Sequence, residues 1–260
     1  MSVEPSLRGW SVRAANLPEH ARNPIHTDAG AVAAGFPRAL VAGVTTYAYL
    51  THVPVVAWGL PWVERGAAEV RFRAPVFEHD LVECVPTVDE TGDVIEARTG
   101  ADGVQPRATM RVVRDGGPAP AMRTGEPLAP VDILLVGQWA SGYATRAGDD
   151  VELFAQLGIV HPAVWPALAN RVVHEQVARG SWVHTRSLVR HHASAQVGQV
   201  AVVSAMVVRR FVRNGERAVL DVRIEVGGVL VASIEHEAIV ALPQLSRADA
   251  WPDRARPPAT

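Results

Sequence analysis

The chain has 260 residues and a formal net charge of -2, with 48% hydrophobic and 20% charged residues, a balance typical of a globular protein with a substantial core. No apolar run reaches the roughly 20 residues of a membrane-spanning helix and no signal peptide is visible, so we predict a cytoplasmic protein without a membrane or nucleic-acid partner. All 25 Lys and Arg residues are arginine and Cys84 is the single cysteine, which excludes Schiff-base and P-loop lysines, internal disulfides and cysteine-cluster metal centres.

The first half of the chain predicts one long apolar helix followed by an antiparallel meander. Residues 39–53 form an apolar stretch that we interpret as a helix, and segments rich in β-branched and alternating residues follow it. Gly-containing turns, among them residues 90–93 and 101–103, join the later segments as hairpins. We predict strands over residues 68–76, 81–88, 94–99 and 107–113.

Two stretches mark the limits of the two halves. Residues 117–127 are rich in Gly and Pro and are interpreted as a linker, and the polar, Pro-containing residues 246–260 predict a disordered tail. We therefore expect an N-terminal half at residues 1–116 and a C-terminal half at residues 128–245. The C-terminal half contains one helix candidate, followed by four strand candidates, at residues 161–178, 182–192, 200–211, 218–226 and 229–242.

The two halves resemble each other when one is shifted along the other. A single offset places residues 42–43 on residues 161–162, at the starts of the two helix candidates, and residues 79–80 on residues 198–199, at two turns. One offset that matches both a helix start and a turn indicates a duplication. Because an apolar helix must bury its surface, each half predicts a helix wrapped by an antiparallel sheet, which is an α+β architecture.

Residues 23–28, Asn-Pro-Ile-His-Thr-Asp, form the most informative motif, and small residues follow it at Ala31, Ala33 and Ala34. This pattern resembles the hotdog-fold (R)-specific enoyl hydratases, also called MaoC-like dehydratases. Residues 39–43 are similar to the family's central helix start, and the resemblance is clearest over residues 14–88. It implies a double hotdog, in which two tandem hotdog halves form one antiparallel sheet around two long central helices.

The resemblance implies the addition or removal of water on an enoyl or 3-hydroxyacyl thioester. By position, His26 would be the acid/base, Asn23 an orienting hydrogen bonder and the Gly43 amide the oxyanion donor at the helix start. The acyl group would arrive on coenzyme A or on the phosphopantetheine arm of an acyl carrier protein. Neither a separate cofactor nor a metal is implied, and a homodimer is compatible with the resemblance.

One position departs from the family pattern. The family's catalytic Asp lies five residues before the His, where this chain has Ala21, and His20 stands in place of the preceding Gly. One hypothesis is that Glu19, His20 or Asp28 replaces the carboxylate. The alternatives are a hydro-lyase with altered chemistry, a hotdog acyl thioesterase, and a non-catalytic thioester-binding or scaffold subunit.

Arginine and histidine side chains supply the remaining candidates for substrate binding. The absence of lysine leaves arginine as the charged partner for a phosphate of the substrate, with Arg71 and Arg73 on one strand and Arg186 and Arg190 on another. On the second strand, strict alternation places His184 on the same face as both arginines. His161 lies at the second helix start, where it could line a pocket.

Two further groups of residues have structural and functional interpretations. Asn170 and His174 are spaced i, i+4 on the second helix, which favours a half-buried pair between the helices over a second site. Aromatic residues on or after the helices usually close the core, although in a hotdog they can also bound an acyl tunnel. These aromatic residues are Tyr47, Tyr49, Trp58, Trp62 and Trp165.

Overall fold

The computed structural model describes residues 6–100 and 105–242 and shows one large antiparallel sheet with helices on it. The predicted tail at residues 246–260 and the predicted turn at residues 101–103 lie outside the described residues. The strands of the N-terminal half are β1 (Trp10–Arg13), β2 (Ala67–Phe72), β3 (Leu81–Asp89), β4 (Gly92–Thr99) and β5 (Ala108–Val113). Those that follow are β6 (Glu126–Pro127), β7 (Val131–Leu134), β8 (Val183–His191), β9 (Val200–Val212), β10 (Glu216–Val226) and β11 (Val229–Ala241).

The sheet is continuous across the two halves. Its strand order is β1-β3-β4-β5-β2-β8-β11-β10-β9-β6, and β7 pairs with β9 beside this path. The halves meet where β2 runs antiparallel to β8, with Ala67 opposite Arg190 and Arg71 opposite Arg186. Because a shared ladder satisfies the backbone groups of both edges, neither half leaves its central edge open.

Six α-helices lie among the described residues, and two of them pack on the sheet. The six helices are α1 (Asp28–Ala33), α2 (Gly43–Arg65), α3 (Gly137–Ala140), α4 (Tyr143–Arg146), α5 (Leu153–Leu157) and α6 (Val164–Val172). Helix α2 contacts strands of the first half and β8, and α6 contacts β8, β9 and β11. One long helix per half against a shared antiparallel sheet confirms the predicted α+β double hotdog architecture.

Helix α2 is longer than the sequence pattern predicts. The prediction ended it at Val53, yet the helix continues through Pro54 to Arg65. A proline inside a helix removes one donor and bends the helix without always ending it. The continuation is not regular, because Gly59 adopts a φ of 59° and ψ of -149°, a conformation that favours glycine.

The second central helix is shorter than predicted and changes its winding. The prediction of residues 161–178 is wrong at its start, because α6 begins only at Val164. Beyond Val172 the chain continues as a π-helix, Val173–Val177. A π-helical turn changes the winding of the chain, yet Asn170 and His174 still line one cavity, so the shared face predicted for them is retained.

A bulge in β8 reverses the predicted orientation of its side chains. Along β11, Glu237 is opposite Arg186 and Ala238 is opposite His184, so Thr185 is the extra residue. An extra residue shifts the alternation by one position. His184 is therefore buried on the inner face with Ser187, while Arg186 lies on the outer face, and the prediction of a common face for His184 and the arginines is wrong.

The core runs through both halves without interruption. Trp62 and Trp165 are at most 1% exposed, and both belong to the same buried cluster as Tyr47 and Tyr49. The core interpretation of these aromatic residues is therefore confirmed, and Trp58 packs at the edge of the cluster. Among the described residues, no helix is long and apolar enough to cross a membrane.

Candidate active site

A cavity of about 390 Å³ lies between the two halves. The N-terminal half contributes the loop before α2, the first turn of α2 and the end of β2, and the C-terminal half contributes α6 and the start of β8. Most of the lining side chains are apolar, among them Phe36, Val41, Phe72 and Val183. A concave, mostly apolar cavity with a few polar groups is the usual form of a small-molecule site.

His26 contributes an imidazole whose orientation is fixed. It ends the 3-10 turn Pro24–His26, and its Nδ1 lies 2.8 Å from the carbonyl oxygen of Leu40. A carbonyl oxygen only accepts, so Nδ1 carries the proton and donates it, and Nε2 remains as an unprotonated acceptor. Burial lowers the pKa of His26, which keeps the ring neutral near pH 7 and able to accept a proton.

Gly43 lines the same cavity at the start of α2. It is the first residue of α2 and follows the N-cap Ala42, so its amide has no acceptor inside the helix. The positive end of the helix dipole reinforces this donor. A Cβ at this position would lie 3.3 Å from the Phe72 ring, so any side chain here would press against the cavity wall.

Asn23 joins the two halves and orders the loop that carries His26. Its side chain is buried, and Nδ2 donates to the carbonyl oxygen of Trp182 at 2.8 Å. Its Oδ1 accepts longer hydrogen bonds of 3.4 Å from the amides of Trp182 and Ile25. Asn23 also lines the cavity, but its hydrogen-bonding groups are already used by the protein, which indicates a positioning role.

The candidate replacement carboxylates do not hydrogen-bond His26. Glu19 forms an ion pair with Arg146. Asp28 is exposed and accepts a hydrogen bond of 2.8 Å from the Ala39 amide. No Asp or Glu among the described residues lines the 390 Å³ cavity, although Glu19 lines a neighbouring cavity together with His26.

His20 belongs to a buried polar network beside His26. Its Nε2 lies 3.1 Å from the Tyr143 hydroxyl and 3.3 Å from Thr45 Oγ1, and its ring centroid is 6.0 Å from that of His26. Burial, together with the neighbouring His26 and Arg146, lowers the pKa of His20 to about 3. A neutral His20 does not add charge to the site, and its contacts join the loop to the C-terminal half.

A second cavity of about 290 Å³ adjoins the first. Asn23, His26, Asn170 and Trp182 line both cavities, so these residues form the boundary between the two. Asn170 Oδ1 is buried and hydrogen-bonds no described residue. Asn170 is thus an available acceptor at the site. Asn170 and His174 are both half-buried, as predicted, but they do not hydrogen-bond each other, because His174 Nδ1 accepts from Trp182 Nε1 at 3.4 Å.

His161 does not reach either cavity. It is 1% exposed and packs between Tyr143, whose ring is stacked at 5.8 Å, and Phe154, whose ring is 4.5 Å away. Its Nδ1 accepts from the Ala163 amide at 3.1 Å, and burial lowers its pKa to about 4. The predicted substrate-binding role of His161 is not supported by its position, because the surrounding rings fill the space.

Of the four predicted substrate-binding arginines, only Arg73 lines the cavity. Arg73 is exposed and immediately follows β2. Arg186 is held by Glu69 and Glu235 on the outer face of the sheet, and Arg71 also pairs with Glu69. Arg186, Arg71 and Arg190 line neither cavity, so Arg73 is the one of these four that remains a candidate for a substrate phosphate.

The sequence prediction missed His184 as a site residue. It lines the cavity, is 5% exposed, and its Nδ1 hydrogen-bonds no described residue. Only the bulge at Thr185 turns the ring inward, and no sequence signal identified this bulge.

A histidine–carboxylate pair lies away from both cavities. His52 Nδ1 is 2.8 Å from Asp149 Oδ1, and Trp10 stacks on the His52 ring at 3.8 Å. With Asp150 these groups place possible metal-ligand atoms within 4.8 Å of one another. Asp149 also accepts from the Val151 amide at 2.9 Å, and these contacts are explained by a role in holding the loop against α2.

Comparisons with known proteins identify the fold. No family model matches the chain, and no curated protein sequence matches it. A structure from Chloroflexus aurantiacus described as a MaoC domain protein dehydratase has a TM-score of 0.59 at 11% identity, covering 94% of this chain and all of that one. A Lactobacillus plantarum structure described as an oleoyl thioesterase has a TM-score of 0.53 at 12% identity, covering 92% and 98%.

A Mycobacterium tuberculosis protein described as having a double hotdog fold matches with a TM-score of 0.60 at 11% identity, covering 90% of this chain and 96% of that one. At these identities the likeness establishes architecture and does not assign an activity. The chain therefore has the double hotdog fold, which it shares with structures described as MaoC-like dehydratases and with one described as a thioesterase.

Proposed function

We propose that this protein is a hydratase or dehydratase of the MaoC-like type that acts on an enoyl or 3-hydroxyacyl thioester. The observation that carries the proposal is that His26 and the first amide of α2 line one cavity between the two halves. The first supplies a neutral base and the second a donor for developing negative charge. The apolar cavity walls suit an acyl chain.

In the proposed dehydration, the thioester carbonyl oxygen accepts the Gly43 N–H. His26 Nε2 removes a proton from the carbon next to the carbonyl, and negative charge develops on the carbonyl oxygen. The same imidazole then delivers that proton to the leaving 3-hydroxyl group, so an enoyl thioester and water result. Hydration is the reverse sequence.

One acid/base residue suffices if the proton and the hydroxyl leave from the same face of the substrate. The proton taken from carbon is the proton given to oxygen, and no second side chain has to store it. This single-residue sequence accounts for a site in which Ala21 occupies the position of the family's Asp. Asn170 Oδ1, a buried acceptor at the cavity boundary, is placed to accept a hydrogen bond from a substrate hydroxyl.

Two other functions share this cavity and are separated by their products. A hotdog thioesterase would release a free thiol, with His26 activating water in the absence of a lining carboxylate. A non-catalytic subunit would bind the thioester and release nothing, which is the alternative that the missing Asp favours. The substrate carrier, coenzyme A or an acyl carrier protein, is common to all three.

The test follows the enoyl chromophore and free thiol together, with crotonyl-CoA and longer enoyl-CoA substrates. We expect loss of the enoyl absorbance without thiol release, and we expect His26→Ala to lower kcat by roughly 10²- to 10⁴-fold. His192→Gln is the matched control, because His192 hydrogen-bonds Ser233 at 2.9 Å and lines neither cavity. Thiol release would establish the thioesterase, and saturable binding without turnover would establish the non-catalytic subunit.

A further inference from the structure

His184 lies beside the start of α2 in the wall of the cavity. Its Nδ1 lies 3.4 Å from the position that a Cβ on Gly43 would occupy, and its ring lies 4.7 Å from the Phe72 ring. The imidazole is 5% exposed, and Nδ1 has no hydrogen-bond partner among the described residues. A buried nitrogen of this kind usually has a partner, so one that lines a cavity indicates a contact made by the bound molecule.

The Gly43 amide and His184 Nδ1 are close enough to bind one oxygen atom between them. The backbone nitrogen of any residue lies about 2.5 Å from its own Cβ position. The Gly43 nitrogen and His184 Nδ1 are therefore no more than about 6 Å apart, given the 3.4 Å contact. One oxygen atom placed between them can accept two hydrogen bonds of about 2.9 Å each.

The inner partners of His184 determine which ring nitrogen carries the proton. His184 Nε2 lies 2.8 Å from Ser187 Oγ, which lies 2.9 Å from His236 Nδ1. The single hydroxyl proton can be donated to only one of the two rings. If it went to His236, then His236 Nε2, which has no described partner, would be a buried and unsatisfied N–H.

The opposite arrangement leaves an unpaired acceptor at His236 Nε2 and moves the unpaired N–H to His184 Nδ1. In it, His236 Nδ1–H donates to Ser187, Ser187 donates to His184 Nε2, and His184 carries its proton on Nδ1. An unpaired buried N–H is rare in proteins. His184 lines the cavity, where a bound molecule can accept from its N–H, whereas His236 lines neither cavity, so this arrangement is favoured. It places an N–H donor at the cavity wall.

Both imidazoles are neutral in the folded protein. Burial, with a smaller contribution from the neighbouring His236, lowers the pKa of His184, and burial lowers the pKa of His236 to about 3. His184 is thus suited to donate a hydrogen bond without carrying charge. A neutral imidazole of this kind can stabilise a developing oxyanion.

We propose that His184 is a second oxyanion donor, whose Nδ1–H and the Gly43 N–H together bind the thioester carbonyl oxygen of the substrate. The assignment rests on the proposed function for the identity of the ligand. It adds a donor from the C-terminal half to an oxyanion site that otherwise consists of one backbone amide. Ser187 and His236 are positioning residues, because they act only by fixing the tautomer of His184.

The test uses S-cinnamoyl-pantetheine, a conjugated thioester whose absorption band moves to longer wavelength when its carbonyl oxygen accepts strong hydrogen bonds. Three variants are compared with the wild-type protein. His184→Leu removes the donor at similar size, His184→Asn places an amide NH₂ near the position of Nδ1, and His192→Gln alters a histidine outside both cavities. Circular dichroism and the Tm establish that each variant is folded.

We expect the wild-type protein and His192→Gln to shift the band, His184→Leu to lose most of the shift, and His184→Asn to restore part of it. With a substrate that turns over, His184→Leu should lower kcat by about 10²- to 10³-fold with a much smaller change in KM. Ser187→Ala should give an intermediate loss, because the tautomer is then no longer imposed.

Two results would overturn the assignment of His184. One is a full band shift in folded His184→Leu, and the other is the absence of any shift when the wild-type protein is saturated with the thioester. Failure of the proposed function gives a different pattern. A His184-dependent shift without any hydration would refute the hydratase while leaving the oxyanion donor in place.

Discussion

Replacing Asn23 tests how the loop that carries His26 is held against the second half. Asn23→Ala removes one good hydrogen bond, of 2.8 Å to the Trp182 carbonyl, and two long ones of 3.4 Å. Because Asn23 is only 5% exposed, the Trp182 carbonyl would be left buried without its partner. A buried group deprived of its partner costs about 1–3 kcal/mol, and the long hydrogen bonds add little.

We therefore expect Asn23→Ala to lower the free energy of unfolding by about 2 kcal/mol, which for a chain of this size corresponds to a Tm decrease of about 4–8 °C. Urea titration and thermal unfolding followed by circular dichroism measure both quantities. Asn23→Asp provides the sharper comparison, because its carboxylate would face the Trp182 carbonyl and could not donate to it. Protonation restores a donor, so the folded-state pKa of this Asp is raised.

The sign of the pH effect follows from that raised pKa. The folded variant binds a proton that the unfolded chain releases. The free energy of unfolding of Asn23→Asp should therefore approach that of the wild-type protein as the pH falls from 7 to 5. The reasoning is refuted if Asn23→Ala unfolds at the wild-type temperature and urea concentration. A deficit of Asn23→Asp that does not depend on pH would refute the assignment of the donor.

Three other predictions concern the buried polar groups and the arginines. Burial lowers the pKa of His20 to about 3 and that of His161 to about 4, so the unfolded chain binds more protons below pH 6.5. Urea titrations should therefore give a free energy of unfolding that is lower at pH 5 than at pH 7 by about 2 kcal/mol for each of these histidines. Equal stability at the two pH values would contradict this. Thr45→Val removes the hydroxyl that lies 3.3 Å from His20 and should lower the free energy of unfolding by about 1–2 kcal/mol, whereas Thr45→Ser should retain most of it. Arg73→Gln should raise KM for a CoA thioester but not for a pantetheine thioester, while Arg186→Gln should change neither; an equal effect of both variants would exclude a specific phosphate contact at Arg73.

The architecture could be predicted from the sequence because local pattern and tertiary structure agree over most of its length. Strands predicted at residues 81–88, 94–99 and 200–211 appear as β3, β4 and β9 with ends displaced by at most two residues. Their β-branched, alternating residues and intervening turns specify the pairing of neighbours. The helices were harder, because Pro54 is tolerated in α2 and the winding changes after α6.

The candidate site was only partly predictable, because much of it depends on contacts between residues far apart in the chain. The motif around His26 identified the loop and Gly43 identified the helix start. The contact of Asn23 with Trp182 spans 159 positions, and nothing local in the sequence specifies it. His184 was missed for a different reason, since a one-residue bulge inverts the alternation on which the prediction relied.

Because the halves that meet at β2 and β8 belong to one chain, an amino-acid substitution affects only one of them. In a symmetric dimer of identical single-hotdog subunits, every substitution appears twice, once at each equivalent surface. In this fused chain each substitution appears once, so the two sides of the molecule can diverge independently. The C-terminal helix start, where Tyr143 and Phe154 pack around His161, has become filled interior, while the N-terminal helix start keeps an open cavity. Two non-identical halves therefore allow an open cavity on one side of the molecule and a packed interior on the other.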